Sequence, residues 1–420
     1  MKIRSLLLGS VAAAGLTTAG YATDLGVVTS LNVCDELGLS GLAISSDDNC
    51  LVISGGVTYE YKFGDFDDSF LMMTNFNRSG NAFSVMEGDT NLDSSSELDA
   101  WLQFTASASS SFGLATATIK LVNGTVSTPS GTSPNGVFVD EAFITIGDTT
   151  MLTAGKTGSI FKDGDDEPLN FLGLFNSDDV DVGVNVRDPL SNGGHVIQLV
   201  SDLGNGVWIG GALENLGTGT LGSNNGIGVI SYSGDGLTAH ASINVANILG
   251  GSPTSWDLHT GATATWDNFK FVGALATRDG GWWNVLGSAS ATFDMFTLAG
   301  SFEATSEDEW GAGGSISATV SDGVTLNLGG RYWDNDVPND VLTQVAAQIV
   351  ATVSDDVKVT GEIGAIANSA GTLVNPSSQV FYVKGQADWS PGGGVDASFG
   401  AQANTVGAWQ TDFKISKSIK

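Results

Sequence analysis

Four carboxylates fall within five residues, in the run Phe161-Lys162-Asp163-Gly164-Asp165-Asp166-Glu167. Clustered Asp and Glu can trade protons, hold a hard cation or concentrate counter-ions. Proton chemistry finds no support elsewhere in the chain. Nothing resembles a hydrolase elbow or a metalloprotease helix, and at this density of acids chance pairs are expected, so no enzyme is predicted. An EF-hand fails because Pro168 stands where that loop needs its turn glycine. A weakly bound calcium ion at the acids is the most the run supports, and no cofactor or structural metal is expected. His195, His240 and His259 lack metal-ligand spacing and read as strand-face residues. What remains is electrostatics. Asp163, Asp165, Asp166 and Glu167 lead into Pro168, Phe171, Leu172, Leu174 and Phe175, then Asp178, Asp179, Asp181 and Asp188. Acids interleaved with apolar residues suit a loop, about 157–194, that docks on an inner wall and narrows an aqueous lumen. An acidic ring there favours cations.

A wall must position such a loop, and period-2 strands supply it. Trp256, Leu258, Thr260, Ala262, Ala264 and Trp266 alternate with Asp257, His259, Gly261, Thr263, Thr265 and Asp267. Successive side chains of a strand point to opposite faces, so one face is apolar and the other polar. The two tryptophans close the apolar face, ten residues apart. A strand tilted at about 45° needs about 9–11 residues to cross a bilayer, and transmembrane barrels carry aromatic girdles at both boundaries. The pattern recurs at 51–63, 237–245, 309–321, 324–332 and 357–365. Turn residues punctuate it at Ser110–Gly113, Gly147–Thr149, Leu203–Gly206, Ser233–Gly236, Trp266–Asn268, Phe293–Met295, Ser321–Gly323, Ser354–Asp356 and Ser390–Gly394. Longer polar connections alternate with them, at Gly64–Ser96, Asn123–Asn135, Thr157–Gly194 and Asp334–Val341. Nine tight turns with two closing strands give 20 strands. The fold class is therefore all-β: a transmembrane antiparallel barrel over 51–420 with an inward constriction loop. On its polar faces Lys62, Lys120, Lys270, Arg278, Arg331, Lys358 and Lys384 form a candidate basic wall opposite the acids.

Lys2 and Arg4, the apolar core from Leu6 to Ala14 and Gly20-Tyr21-Ala22 read as a secretory leader cleaved after Ala22. Residues 23–50 form an N-terminal segment. It holds both cysteines, Cys34 and Cys50, and an oxidising compartment pairs them in one disulfide. Net charge is −30; without Lys2 and Arg4 there are 14 basic and 46 acidic residues, hence −32. That charge repels phosphate and argues against nucleic acid. Partners are outer-membrane lipid and small hydrophilic solutes. Two rival readings remain. Trp101 on a polar face suits a more selective sugar or organic-acid channel. A secreted soluble β adhesin would pack its apolar faces together as a sandwich.

Two blocks carry a family likeness. One is Val28-Thr29-Ser30-Leu31-Asn32-Val33-Cys34-Asp35 with Gly38 to Asn49 and Cys50-Leu51-Val52-Ile53-Ser54-Gly55-Gly56-Val57. The other is Asp140-Glu141-Ala142-Phe143-Ile144-Thr145-Ile146-Gly147 through Leu152-Thr153-Ala154-Gly155-Lys156-Thr157-Gly158-Ser159-Ile160-Phe161. The chain resembles the alphaproteobacterial porin family. The resemblance implies a 16-stranded homotrimeric general porin of the bacterial outer membrane, a passive water-filled channel whose inward third loop begins just after Phe161. Two features depart from it. The chain ends Phe413-Lys414-Ile415-Ser416-Lys417-Ser418-Ile419-Lys420, without the terminal aromatic of many such barrels. The turn count also exceeds 16, which leaves 16 to 20 strands.

Overall fold

The structure is a computed structural model. It describes residues 33–34, 37–39, 41–46, 48–66, 77–79, 82–84, 92–128, 131–134, 136–175, 183–184, 190, 193–217, 224–334, 341–368 and 379–419. The leader and Asp178, Asp179, Asp181 and Asp188 lie outside these residues.

Among the described residues one antiparallel sheet holds 22 strands. Two short ones, Leu42–Ser45 and Gly131–Pro134, attach to neighbouring strands. The other twenty form a ring closed by Cys50–Asp65 against Trp409–Ile419, in register from Gly55↔Ile419 to Asp65↔Trp409. Twenty is the number that the turns give and corrects the sixteen that the family resemblance implies. All nine expected tight turns join consecutive strands at one end of the ring. Asp235 and Gly236 show why those residues stand there: their φ angles are 48° and 77°, and a two-residue hairpin whose twist matches its strands needs both positive. One expected loop is instead sheet. Residues 123–135 hold the end of Gly113–Thr128 and its hairpin partner Gly131–Pro134. The β-branched Val122, Thr125 and Val126 suit a strand that runs on past the ring.

The seam also explains the N-terminal segment. Trp409–Ile419 pairs with the first strand only from Gly55 onward. Below that, Leu42–Ser45 takes the open edge, from Leu42↔Ile53 to Ser45↔Cys50. A disulfide between Cys34 and Cys50 ties the preceding chain there, with Cα atoms 4.9 Å apart. An unpaired edge is a template for stray pairing, and here it is covered. Phe413, on the outer face of the last strand, is the last aromatic before the charged terminus.

Apolar residues point outward. Trp256, Trp283 and Trp310 ring the long-loop end, and Trp266, Phe269, Phe293 and Phe296 ring the short-turn end, all exposed. Ten residues of strand at about 3.3 Å each, tilted by about 45°, climb roughly 23 Å, close to the ~25 Å apolar band of such barrels. Outward apolar faces on a closed ring cannot pack as a sandwich, which removes the soluble adhesin reading. Inside, Asp257, His259 and Gly261 are buried, as the alternation at 256–266 requires.

Candidate functional site

After the strand Thr150–Thr157 the chain turns into the lumen and lies along the wall. Its backbone is satisfied by wall side chains, strand after strand. Ile160 N–H donates to Glu214 Oε1 at 3.1 Å, and Lys162 N–H to Ser242 Oγ at 3.0 Å. Leu169 N–H reaches Ser288 Oγ at 2.8 Å, and Phe171 N–H reaches Ser315 Oγ at 2.9 Å. Arg331 then donates through Nη1 to the carbonyls of Leu172 (2.8 Å) and Leu174 (3.0 Å) and sits 4.2 Å from the Phe175 ring centre. The returning chain is held too: Leu190 N–H on Asp257 Oδ2 at 2.8 Å, Gly193 N–H on Glu214 Oε2 at 2.6 Å. Glu214, fully buried, therefore clasps both roots of the loop. Buried backbone groups need partners, and an irregular segment inside a barrel finds them only on the wall.

Small wall residues let the loop lie flush. A Cβ on Gly261 would strike the Gly164 carbonyl, the His240 ring and Asp165. One on Gly313 would meet Asn170, the Gly173 carbonyl and Leu174 within 3.2 Å. Leu172 and Phe175 pack in one apolar cluster with Trp333, Leu342, Ile366 and Tyr382; Leu174 packs in another with Val272, Ala274 and Leu286. The apolar half of the loop thus docks as its composition suggests.

The four acids divide into two kinds. Asp163 and Glu167 are exposed. Asp165 accepts hydrogen bonds from the Thr238 and Thr263 hydroxyls and lies 3.3 Å from His240 Nδ1. Asp166 is buried, 3.4 Å from His259 Nε2. Of the four acids expected at the constriction, Asp163 and Glu167 are exposed, and Asp165 and Asp166 lie against wall side chains. The His240 contact is the largest influence on Asp165. Against burial, and with the two hydroxyls, it pulls that carboxyl down to about 2. Burial lowers the Lys162 ammonium from the usual lysine range, partly offset by Asp165.

Between these acids lies a feature that sequence reasoning missed. His240 and His259 lie edge to edge and nearly coplanar, ring centres 5.1 Å apart and planes 3° apart, His240 Nε2 lying 2.9 Å from His259 Nδ1. His259 Nε2 faces the Val184 carbonyl at 2.9 Å and must donate to it. His259 Nδ1 then accepts from His240 Nε2–H, and His240 Nδ1 faces Asp165 Oδ2 at 3.3 Å. The pairing depends on the register between Leu237–Ala246 and Trp256–Trp266, where Ser242 faces His259. A connection over 247–255 separates these strands, so spacing in the sequence does not reveal it. Among the described residues no three His, Cys, Asp or Glu side chains are placed to hold a metal ion.

The bases of the expected wall differ in their local partners. Arg331 is the loop's clamp and is buried. Lys62 pairs with Glu60 at 2.7 Å, Lys120 with Asp140 at 2.7 Å and Lys384 with Glu362 at 3.4 Å. Arg278 stands opposite Asp257 in register. Lys270 and Lys358 sit near the short turns, opposite Thr265 and Thr352. Lys414 adds a contact to Glu60 at 3.7 Å. This wall interleaves both signs. Trp101 does face the lumen, its indole lying over Gly56.

A closed twenty-strand ring with an apolar belt, aromatic girdles and a lumen-docked loop defines a multi-pass transmembrane β-barrel of the bacterial outer-membrane type. No family model matches the chain, and no curated protein does. Among solved structures it is similar to an anion-selective porin from Comamonas acidovorans (12% identity, TM-score 0.36, covering 88% of this chain and 100% of that one). It is likewise similar to OccAB3 of Acinetobacter baumannii (8% identity, TM-score 0.48, 88% and 98% covered). The outer-membrane channel DcaP of Acinetobacter baumannii is a third (13% identity, TM-score 0.35, 90% and 100% covered).

Proposed function

We propose that this chain is a porin: a passive, water-filled channel for small hydrophilic solutes and ions across a bacterial outer membrane, biased toward cations. One observation carries the reading. The loop is fixed to the lumen wall over many strands, so it narrows the passage permanently while presenting Asp163 and Glu167 to water. Fixed charge beside a low-dielectric wall focuses the local field and enriches counter-ions. Selectivity then belongs to Asp163 and Glu167, while Asp165 and Asp166 belong to docking. The resemblance to homotrimeric porins extends the proposal to a trimer.

The test is a reversal potential in planar bilayers under a KCl gradient. Asp163→Asn with Glu167→Gln should reduce the cation preference. The effect should be largest in dilute salt, where the Debye length is about 30 Å at 0.01 M against about 3 Å at 1 M. A wild-type reversal potential in that double variant would assign selectivity to the acids spread over the whole lumen instead.

A further inference from the structure

Beneath the start of the loop, on its short-turn side, lies a cavity of about 190 Å³ between Ile160, Lys162 and the wall strands Gly194–Gly204, Val207–Glu214 and Asn225–Gly234. Its lining is apolar on the lumen side of the wall. Val200, Trp208 and Val229 are lumen-facing positions in register with Gly210, Asp202 and Gly210 respectively, yet they are apolar. Ile160 packs over Gly210 and completes an apolar niche on the water side of the wall. Apolar surface left open to water in a lumen is a cost that a ligand can recover.

The niche has one charged corner. Lys162 Nζ donates to Ser231 Oγ at 2.9 Å, and both residues line the cavity. An ammonium carries three donors, and the serine uses one. A half-buried cation beside apolar side chains attracts an anion more strongly than one in open water. The surrounding acids limit what that anion can be. Asp165 lies three residues from Lys162, and Asp202 stands opposite Trp208 in register. A doubly charged phosphate would meet two carboxylates with a single cation to offset them. A sugar would need several hydroxyl partners, and the lining offers Ser231 and Ser233 alone. A singly charged carboxylate on a compact apolar body fits both halves.

We infer that this niche is a binding subsite for small monocarboxylates with an apolar or aromatic body. The body lies against Trp208, Val200 and Ile160, and the carboxylate reaches Lys162. The subsite rests on the channel reading and gives it a substrate class opposite in charge to its bulk cation bias. A flat ring stacks on an indole face, and the ammonium supplies a charge-assisted hydrogen bond.

The test uses the purified full chain in planar bilayers at neutral pH, with benzoate, acetate and benzyl alcohol as probes. Benzoate should interrupt the potassium current at lower concentration than either control. Lys162→Met and Trp208→Leu should each raise its half-blocking concentration at least tenfold, and Lys162→Arg should stay near wild type. Unchanged block in both Lys162→Met and Trp208→Leu would overturn the subsite, as would equal block by benzyl alcohol. A wild-type chain that conducts but ignores benzoate refutes the niche alone. A chain that inserts and does not conduct refutes the channel.

Discussion

Asp165→Asn tests whether the loop is held by the carboxylate or merely lies near it. In the folded protein His240, Thr238 and Thr263 converge on Asp165. They pull its pKa from 3.8 to about 2. At about 1.36 kcal/mol per unit this sets a ceiling near 2.5 kcal/mol. The side chain is 24% exposed, so screening brings the figure to about 1–2 kcal/mol. A loop loosened by that amount opens roughly 5- to 30-fold more often, since 1.4 kcal/mol is tenfold. Hydrogen exchange read by mass spectrometry should show it at Lys162, Leu169 and Phe171, whose N–H groups rest on wall serines, while strand amides stay at wild-type rates. The same carboxylate predicts a pH window. Its folded pKa lies below the ordinary one, so docking gains from deprotonation; the gain is full well above pH 4 and is lost as pH falls toward 2. Wild-type current should grow noisier across that window, and Asp165→Asn should be noisy already and insensitive to it. Wild-type exchange at all three loop amides in the variant would refute the reasoning.

Other outcomes follow from the same geometry. Gly261→Ala places a Cβ against Gly164, His240 and Asp165, so the loop should lift; single-channel conductance should rise with the barrel's melting temperature unchanged. Ala262→Lys, on the lipid face near mid-membrane, should cost about 2–4 kcal/mol in a bilayer folding titration, whereas Ser317→Lys on the lumen face should cost little. Thr263 is a poor control for that comparison because it bonds Asp165. Replacing Cys34 and Cys50 by serine should destabilise the N-terminal hairpin by about 3 kcal/mol and leave the ring closed, as read by local proteolysis against heat-modifiable migration.

The ring was legible because its rule is local. Alternation at 256–266 and the nine turns depend on neighbouring residues alone, and both survive in the structure. The resemblance gave the right class and the wrong size, because sixteen and twenty strands share the same strand pattern. The loop's place was legible from its acids and its aromatic run. Its fastenings were not. Glu214, His259 and Arg331 act through register between strands and through contacts 54 to 159 residues apart in sequence, as Ile160 with Glu214 and Leu172 with Arg331 show. Hydrophobic periodicity carries no information at that range.

The division among the four acids has a backbone cause. In an extended chain consecutive residues face opposite ways, so Asp165 and Asp166 would point one to the wall and one to water. Asp165 has φ of 56°, the left-handed region that aspartate tolerates better than most residues. That single turn lets neighbouring carboxylates both reach the wall, Asp165 to His240 and Asp166 to His259. Gly164 precedes the pair and Pro168 follows Glu167, one permissive and one fixed in φ, and Asp163 and Glu167 are exposed. A run that reads as uniform negative charge therefore folds into an anchor with a charged residue on each side. On the proposed reading the anchor matters to selectivity, because an electrostatic filter works only where its charges are held still beside the passage.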